Sequence, residues 1–449
     1  MQKGPLPGFR DFYPNELAER AHIMRVWREV ARRFAFVEYD GPPLEPLDLY
    51  TKKSGEEIVG QLYNFEDKGG RQVSLRPEMT PTVARMVAAR ANALRKPVRW
   101  FSMPQLFRYE RQQRGRLREH FQLNVDIFGE ADVTADAELL AVAVDIMREF
   151  GLGTEDVVAR VSDRRLLRAL LAHVGIGVEQ TDGVFAVIDK VERQPRDVSA
   201  EKLAALGLSA PVIDELLDLV RTSTPETLRE RYGGNAEVSA LLASLERYFE
   251  HLTHLGVREF VRLDLTIVRG LAYYTGIVFE LFDVKGELRA ICGGGRYDTL
   301  MEAVGGPAMP ALGFGMGDVV LGELLRARGL EVPANAPDFW VASEADGAAG
   351  EVMTVATLLR RTRASVEYAL RPQALNKQKK AAFSAGASYF VVLAPDFRDT
   401  RRIALQSLTP AEGIEGQGAL EELLKGRPDT LDALLQAIAE NPHVLTSID

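Results

Sequence analysis

Residues 107–127 read FRYERQQRGRLREHFQLNVDI, a segment in which two strand-like stretches flank a turn at Gly115. Arginine suits phosphate groups because its planar guanidinium binds two oxygens at once and keeps its charge. The turn is surrounded by five arginines, Arg108, Arg111, Arg114, Arg116 and Arg118. A charged hairpin can equally be a solvated surface feature whose arginines pair with glutamates. Both interpretations therefore stay open on these residues alone.

The second strand of this segment has one polar face. Gln122, Asn124 and Asp126 alternate along it and therefore point to the same side. Buried polar groups need hydrogen-bonding partners, which simple packing does not supply. A row of amides and a carboxylate in a well-formed β region therefore predicts a polar ligand pocket.

Outward from this segment, strands and helices alternate. Hydrophobic spacing predicts helices over 16–34, 81–94 and 135–150, and strands over 36–39, 260–265, 276–282 and 287–291. Two longer stretches are rich in strands, 61–75, which a Gly69-Gly70 hairpin interrupts, and 98–128. A helical insertion is expected over about 165–255, between two β-rich halves of a domain spanning 1–330. A proline-containing linker follows at 331–337. A β-α-β-α-β-β alternation then predicts a small α/β domain with a helical tail over 338–449.

Composition narrows the class of protein. The 449 residues are 46% hydrophobic and carry a formal net charge of −9, so any RNA contact must rest on local basic patches. The single Cys292 excludes an internal disulfide and fits a reducing cytoplasm. Apolar runs stay well below the roughly 20 residues that span a bilayer. The single cysteine and the short apolar runs lead us to expect a soluble, cytoplasmic protein. The histidines show no metal spacing, and no dinucleotide-binding fingerprint appears.

Two further segments carry candidate binding groups. Residues 75–80 read LRPEMT, where the Glu78 carboxylate and the Thr80 hydroxyl can hold an ammonium group between them. Thr80 can instead be a helix N-cap followed by Pro81 at the first helical position. Residues 268–276 place Tyr273 and Tyr274 between glycines. Tyrosine offers a flat wall and a hydroxyl to a small aromatic or amphipathic substrate, although core packing explains such a pair equally well.

Two glycine-rich stretches complete the set. Residues 292–298 contain three successive glycines, which allow close approach of a ligand or form a plain loop. Residues 311–317 place glycines where a strand enters a helix. A helix N-terminus favours anions, but packing of small residues is an equal explanation there.

In this order, the segments at 76–80, 107–122, 269–276 and 294–298 resemble the signatures of histidine–tRNA ligases, a class II aminoacyl-tRNA synthetase family. The resemblance spans nearly the whole chain. It implies an α+β catalytic domain built on a mainly antiparallel sheet, with a helical insertion and a C-terminal α/β domain like the family's anticodon-binding domain. Pro42 or Pro43 with Glu45 is similar to the class II dimer motif, which implies a homodimer.

The resemblance also implies roles for matched positions. Glu78, Thr80 and Gln122 would hold the histidine ammonium group. The imidazole would be surrounded by Asp126, Tyr273, Tyr274 and Tyr297. ATP would be bound by Arg108, Glu110, Arg116 and Arg269, with Arg108 and Arg269 stabilising charge at the α-phosphate. Mg²⁺ would arrive with ATP, without a dedicated protein site, and tRNA(His) would accept the activated histidine.

Three positions depart from the family's pattern. Asp126 stands where glutamate is usual, and Ala272 where aspartate is usual. The family's third motif, which ends in the helix after Gly317, usually continues with Glu-Arg. Here the aligned residues are Val319 and Val320. A valine cannot replace a guanidinium, so the ATP tail needs another cation or is held loosely. These changes keep a second function open, that of a non-charging paralogue similar to the histidine-sensing regulatory subunit of ATP phosphoribosyltransferase.

Overall fold

The structure is a computed structural model that describes residues 4–54, 60–109, 115–222, 224–268, 274–332, 336–408 and 428–440. The chain divides into two compact units, residues 1–332 and residues 333–449. Within the described ranges, no helix combines the length and the apolar character needed to cross a membrane.

The first unit is built from short strands and longer helices. Its strands are β1 (Val37–Glu38), β2 (Leu44–Pro46), β3 (Asn64–Glu66), β4 (Gln72–Leu75), β5 (Val98–Ser102), β6 (Gln105–Phe107), β7 (Glu119–Phe128), β8 (Val157–Asp163), β9 (Val261–Leu263), β10 (Ile277–Asp283), β11 (Cys292–Arg296) and β12 (Ala311–Gly317). Its helices are α1 (Pro14–Arg33), α2 (Asp48–Ser54), α3 (Thr80–Arg90), α4 (Val133–Glu149), α5 (Arg164–His173), α6 (Val178–Ile188), α7 (Arg196–Ala205), α8 (Ala210–Thr222), α9 (Pro225–Tyr232), α10 (Ala236–His254), α11 (Leu300–Ala303) and α12 (Asp318–Ala327).

A large mixed sheet organises these elements. Its strand order is β1-β5-β7-β12-β11-β10-β8-β9, and β6 pairs with the start of β7. The central pairs are all antiparallel, while the outer pairs β1–β5 and β8–β9 are parallel. The mainly antiparallel sheet that the family resemblance implies is therefore confirmed. A separate small antiparallel sheet has the order β2-β4-β3.

One face of this sheet is covered by helices. On α1, Ile23, Trp27 and Val30 are buried, as their spacing predicts. Together with the buried side of α4 they form one core with the alternate residues of β7, Leu123, Val125 and Ile127. Burying a side chain of this kind contributes about 1.5–3 kcal/mol each. Because strand side chains alternate between faces, this packing directs Gln122, Asn124 and Asp126 to the opposite face.

The helices α5 to α10 fill the chain between β8 and β9. The first of them begins after Asp163, whose carboxylate accepts a 2.8 Å hydrogen bond from the backbone N–H of Arg165. The last, α10, is capped by Asn235 in the same manner. An N-cap of this type stabilises a helix by roughly 1 kcal/mol.

The second unit is a small α/β domain. Its strands are β13 (Phe339–Ser343), β14 (Val366–Tyr368), β15 (Tyr389–Leu393) and β16 (Ile403–Ser407), and its helices are α13 (Ala349–Arg361), α14 (Leu375–Ser384), α15 (Phe397–Thr400) and α16 (Leu431–Glu440). The sheet order is β14-β13-β15-β16, with β13 parallel to both neighbours and β16 antiparallel to β15. The predicted small α/β domain is confirmed.

One predicted strand is wrong. The segment 287–291 was expected to pair in the sheet, but the strand there is β11, which begins at Cys292. The Asp283 carboxylate accepts hydrogen bonds of 3.0 Å from the backbone N–H groups of Glu287 and Leu288, and so folds this segment into a turn. The glycine stretch that could have been a plain loop is instead a fully buried central strand.

Candidate functional site

A cleft of about 390 Å³ opens on the polar face of the sheet, above β7, β12 and β11. Its floor consists of glycines. In the sheet register Gly313 lies opposite Asp126, and Gly315 lies opposite Asn124. A Cβ atom on Gly315 would lie 1.7 Å from Nε2 of Gln122, and one on Gly313 would lie 2.2 Å from Oδ1 of Asp126. Only glycine therefore lets the polar side chains of β7 lie across the neighbouring strand.

The cleft brings together segments that are far apart in the chain. Of the residues singled out from the sequence, it is lined by Glu78, Thr80, Arg108, Arg116, Gln122, Tyr274 and Tyr297. Three further candidates, Glu110, Arg269 and Tyr273, lie outside the described residues, as does Ala272. The structure thus places a carboxylate and a hydroxyl that can bind an ammonium group, two tyrosine rings and two arginines around one cavity.

Asp126 differs from the expectation of direct contact with a ligand. It is absent from the described residues that line the cleft, and only 3% of its surface is exposed. The hydroxyl of Tyr297 donates a hydrogen bond to its Oδ1 atom. Tyr297 lines the cleft, so the carboxylate orients this tyrosine from behind. Asp126 therefore contacts a residue of the cleft wall and is itself buried behind it.

A chain of hydrogen bonds orders the polar face of β7. The ring Nε2 of His120 and the side-chain Oε1 of Gln122 are 3.1 Å apart, and Nε2 of Gln122 donates to Oδ1 of Asn124 over 3.3 Å. Burial, reinforced by the charge of Arg108, lowers the pKa of His120 to about 4. The neutral ring, protonated at Nε2, then donates to the Gln122 carbonyl, and this fixes the orientation of the amide.

His120 was missed in the reading of the sequence. It lines the cleft beside Gln122. The signal that could have found it was present, because His120 precedes Gln122 by two positions and continues the alternation of Gln122, Asn124 and Asp126.

The carboxylate and hydroxyl of the 76–80 segment are held at the mouth of α3. This helix begins at Thr80 itself with Met79 in the N-cap position, so the interpretation of Thr80 as N-cap is wrong. The Thr80 side chain lines the cleft, together with the buried Glu78. Arg76 anchors the segment, since it donates to the carbonyl oxygens of Gly41 over 2.7 Å and of Gln105 over 3.0 Å.

Arginines form a cationic region of the same cleft. Nε of Arg108 donates a 2.9 Å hydrogen bond to the carbonyl oxygen of Pro77. Burial lowers the pKa of Arg116, and the charges of Arg289 and Arg108 lower it further. Arg289, which the sequence did not single out, also lines the cleft. Guanidinium groups that repel one another in this way create a strong positive potential that suits a polyanion.

The glycine-rich stretch 311–317 forms β12 and leads directly into α12. Val319 and Val320, in the first turn of α12, line the cleft. Asp318 is fastened elsewhere, since its carboxylate accepts a 2.9 Å hydrogen bond from the backbone N–H of Phe121 and forms a 2.9 Å ion pair with Arg10. The start of α12 is thereby fixed against β7, and it presents an apolar surface to the cleft.

Comparison with known proteins agrees with this geometry. Residues 8–317 match the family model described as histidyl-tRNA synthetase. The chain is 44% identical over 411 residues to a histidine–tRNA ligase of Opitutus terrae, covering 90% of this chain and 93% of that protein. It is 39% identical over 413 residues to the chloroplastic/mitochondrial histidine–tRNA ligase of Arabidopsis thaliana, covering 92% of this chain and 84% of that protein.

A solved structure shows the same fold. The crystal structure of a histidyl-tRNA synthetase from Nostoc sp. superposes with a TM-score of 0.82 at 24% identity, covering 95% of this chain and all of that one. The family model covers most of the chain, and the sequence relatives span nearly its whole length. The protein belongs to the histidyl-tRNA synthetase family.

Proposed function

We propose that the protein activates histidine with ATP to histidyl-adenylate and transfers the histidyl group to tRNA(His). The observation that carries this proposal is the single cleft in which Glu78, Thr80 and Tyr297 lie together with Arg108 and Arg116. Such a cleft offers groups for an ammonium, a flat imidazole and a polyphosphate at once. Membership of the family supports the same reaction.

The residues divide the work of adenylation. The Glu78 carboxylate and the Thr80 hydroxyl bind the ammonium group of histidine, with the Gln122 carbonyl beside them. The imidazole packs against Tyr274 and Tyr297. A carboxylate oxygen of histidine then attacks the α-phosphorus of ATP, and the bond from that phosphorus to the pyrophosphate oxygen breaks. No proton needs to be removed from the nucleophile, so positioning and cationic stabilisation dominate.

Arg108 is suited to the charge that develops at the α-phosphate. Its guanidinium is oriented by the hydrogen bond from Nε to Pro77, which leaves the terminal nitrogens directed to other acceptors. By family resemblance, Arg269 stabilises the same phosphate, Glu110 contributes to ATP binding and Tyr273 to the histidine pocket. In the second step the terminal ribose hydroxyl of the tRNA attacks the histidyl carbonyl, and AMP leaves.

Mg²⁺ fits this cleft as part of the substrate. Among the described residues that line it, Glu78 is the one carboxylate, and histidine binding already uses that group. The ion would therefore be held by phosphate oxygens and water, a usual arrangement for Mg²⁺. It would neutralise the charge of the departing pyrophosphate.

The remaining assignments are also proposals. We propose a homodimer in the cytoplasm, with the α/β unit contacting the tRNA anticodon. Glu45, part of the segment similar to the class II dimer motif, is buried and forms a 2.6 Å ion pair with Arg85. The ion pair holds β2 in place, and a strand held in this way is suited to a position near a subunit interface.

Histidine-dependent pyrophosphate–ATP exchange by the purified protein tests the first step, and charging of tRNA(His) tests the second. We expect both activities, with histidine as the one effective amino acid. The apolar Val319 and Val320 favour the alternative, a histidine-binding regulatory paralogue. Histidine binding without exchange would contradict the proposed function and support that alternative.

A further inference from the structure

We propose that Arg289 binds the terminal phosphates of ATP and supplies the positive charge that the first turn of α12 lacks. This inference rests on the proposed function, because it assigns part of the ATP site used in adenylation. Arg289 lies in the connection between β10 and β11, outside the segments for which the sequence predicted a role in binding.

The sheet register places this connection beside α12. Cys292, the first residue of β11, pairs with Met316 of β12, and β12 continues into α12. The residues just before Cys292 therefore run along the first turn of that helix. A Cβ atom placed on Gly115 would lie 3.3 Å from Cγ2 of Val320 and 3.5 Å from Cδ of Arg289. The arginine and the valine thus both approach Gly115.

The charges at this point favour an anion. Arg116 lies close enough to Arg289 and to Arg108 for the charge of each to lower its pKa, in addition to the larger effect of burial. All three line the cleft. The repulsion is relieved when a polyanion enters between them, and a triphosphate carries enough negative charge to engage several arginines at once.

The backbone before Arg289 is held in place by a buried carboxylate. Asp283, at the end of β10, is 4% exposed and accepts the hydrogen bonds from Glu287 and Leu288. This turn delivers Arg289 to the cleft at a defined position. Because ordering a loop costs conformational entropy, a turn that is already fixed increases the affinity that one arginine can contribute.

Val319 and Val320 give the first turn of α12 no positive charge where it borders the cleft. The Val320 side chain lines the cleft but has no hydrogen-bond donor or charge. A guanidinium reaching over Gly115 from the β10–β11 connection can occupy the space that this valine leaves. Arg289 and Val320 border the same cleft, so the arginine serves the end of the cleft next to α12.

The test compares ATP with AMP, which lacks the terminal phosphates. Affinities of the full-length protein for both nucleotides, with Mg²⁺, are measured by calorimetry for Arg289→Ala and Arg289→Gln. We expect ATP affinity to fall about tenfold to a hundredfold, as for loss of a charge-assisted contact, with AMP affinity unchanged. Lys285→Ala, in the same exposed connection but outside the cleft, is the control and should bind ATP normally.

A second variant tests the exchange of roles. Val320→Arg in the Arg289→Ala background should recover much of the lost ATP affinity and lower the KM for ATP in the exchange assay. Unchanged ATP affinity in both single variants, an equal loss of AMP affinity, or no recovery in the double variant would overturn the inference. Absence of exchange by the wild-type protein would instead count against the proposed function, since the comparison of nucleotides does not require turnover.

Discussion

Nε of Arg108 donates a 2.9 Å hydrogen bond to the carbonyl oxygen of Pro77. This contact joins the two halves of the site, because Arg108 follows β6 while Pro77 precedes Glu78 and Thr80. A backbone hydrogen bond from Phe107 N to Arg76 O, 3.0 Å long, supports the same junction. The group suited to the phosphate and the groups suited to the ammonium are therefore held at a fixed separation.

Arg108→Lys tests whether this orientation matters as well as the charge. Lysine keeps the positive charge but cannot donate to Pro77 and bind a phosphate as a fork. We expect the turnover number for histidine-dependent exchange to fall by about 10²–10³, with a smaller change in the KM for histidine. Arg28→Lys, at an exposed pair with Glu38, serves as control. Near-normal turnover of Arg108→Lys would show that charge alone suffices.

Tyr297→Phe tests the coupling of Asp126 to the cleft. Removing the hydroxyl deletes the hydrogen bond to a buried carboxylate, which should lower the free energy of unfolding by about 1–3 kcal/mol. The KM for histidine should rise because the ring loses its orientation. The matched control is Tyr232→Phe, whose hydroxyl contacts Glu215 within the helical region. Equal effects of both variants on histidine binding would contradict the assigned role.

Gly315→Ala tests the glycine floor. Its Cβ atom would lie 1.7 Å from Nε2 of Gln122, so the amide must leave its present position. We expect histidine affinity to drop at least roughly tenfold and stability to fall by about 1–3 kcal/mol. Gly350→Ala, in the first turn of α13, is the control, since a Cβ there meets nothing within 4 Å and should leave histidine binding and stability nearly unchanged. Titration of both variants with histidine checks this, and normal binding by Gly315→Ala would refute it.

His120 should make stability depend on pH. The folded protein holds its pKa at about 4, below the ordinary value of 6.5, so the unfolded chain takes up the proton first as the pH falls. This contribution is complete above pH 6.5 and is lost as the pH falls towards 4. The free energy of unfolding, measured with denaturant, should therefore fall more steeply over that pH window for the wild type than for His120→Gln. Parallel pH profiles for the two proteins would exclude this role.

Periodicity predicted α1, because Ile23, Trp27 and Val30 recur at helical spacing and are buried together. It failed at β11, where Gly293 to Gly295 resemble a loop by composition. Glycine is a poor strand former, and its presence here follows from contacts with other strands. A Cβ on Gly294 would lie 2.4 Å from the carbonyl oxygen of Gly313. Such crowding is a property of the assembled sheet, and one strand's sequence does not contain it.

Part of the candidate site was likewise predicted from local sequence, and part depends on the assembled sheet. The alternation of Gln122, Asn124 and Asp126 predicted a polar face, and the structure builds a cleft above it. The indirect position of Asp126 behind Tyr297 depends on the distance between β7 and the end of β11. Arg289 had no local signal at all, since an isolated arginine before a strand is ordinary. Its place in the cleft follows from strand pairing across more than 20 residues of sequence.

The central claim is that one cleft holds an imidazole amino acid beside a triphosphate. The most direct measurement is a crystal structure with histidine and a non-hydrolysable ATP analogue, in which the distance from the Arg108 guanidinium to the α-phosphate is read. We expect hydrogen-bond distance there, with the imidazole against Tyr297 and the ammonium group at Glu78. A triphosphate bound away from Arg108, or a histidine lying outside the glycine-floored cleft, would contradict the account.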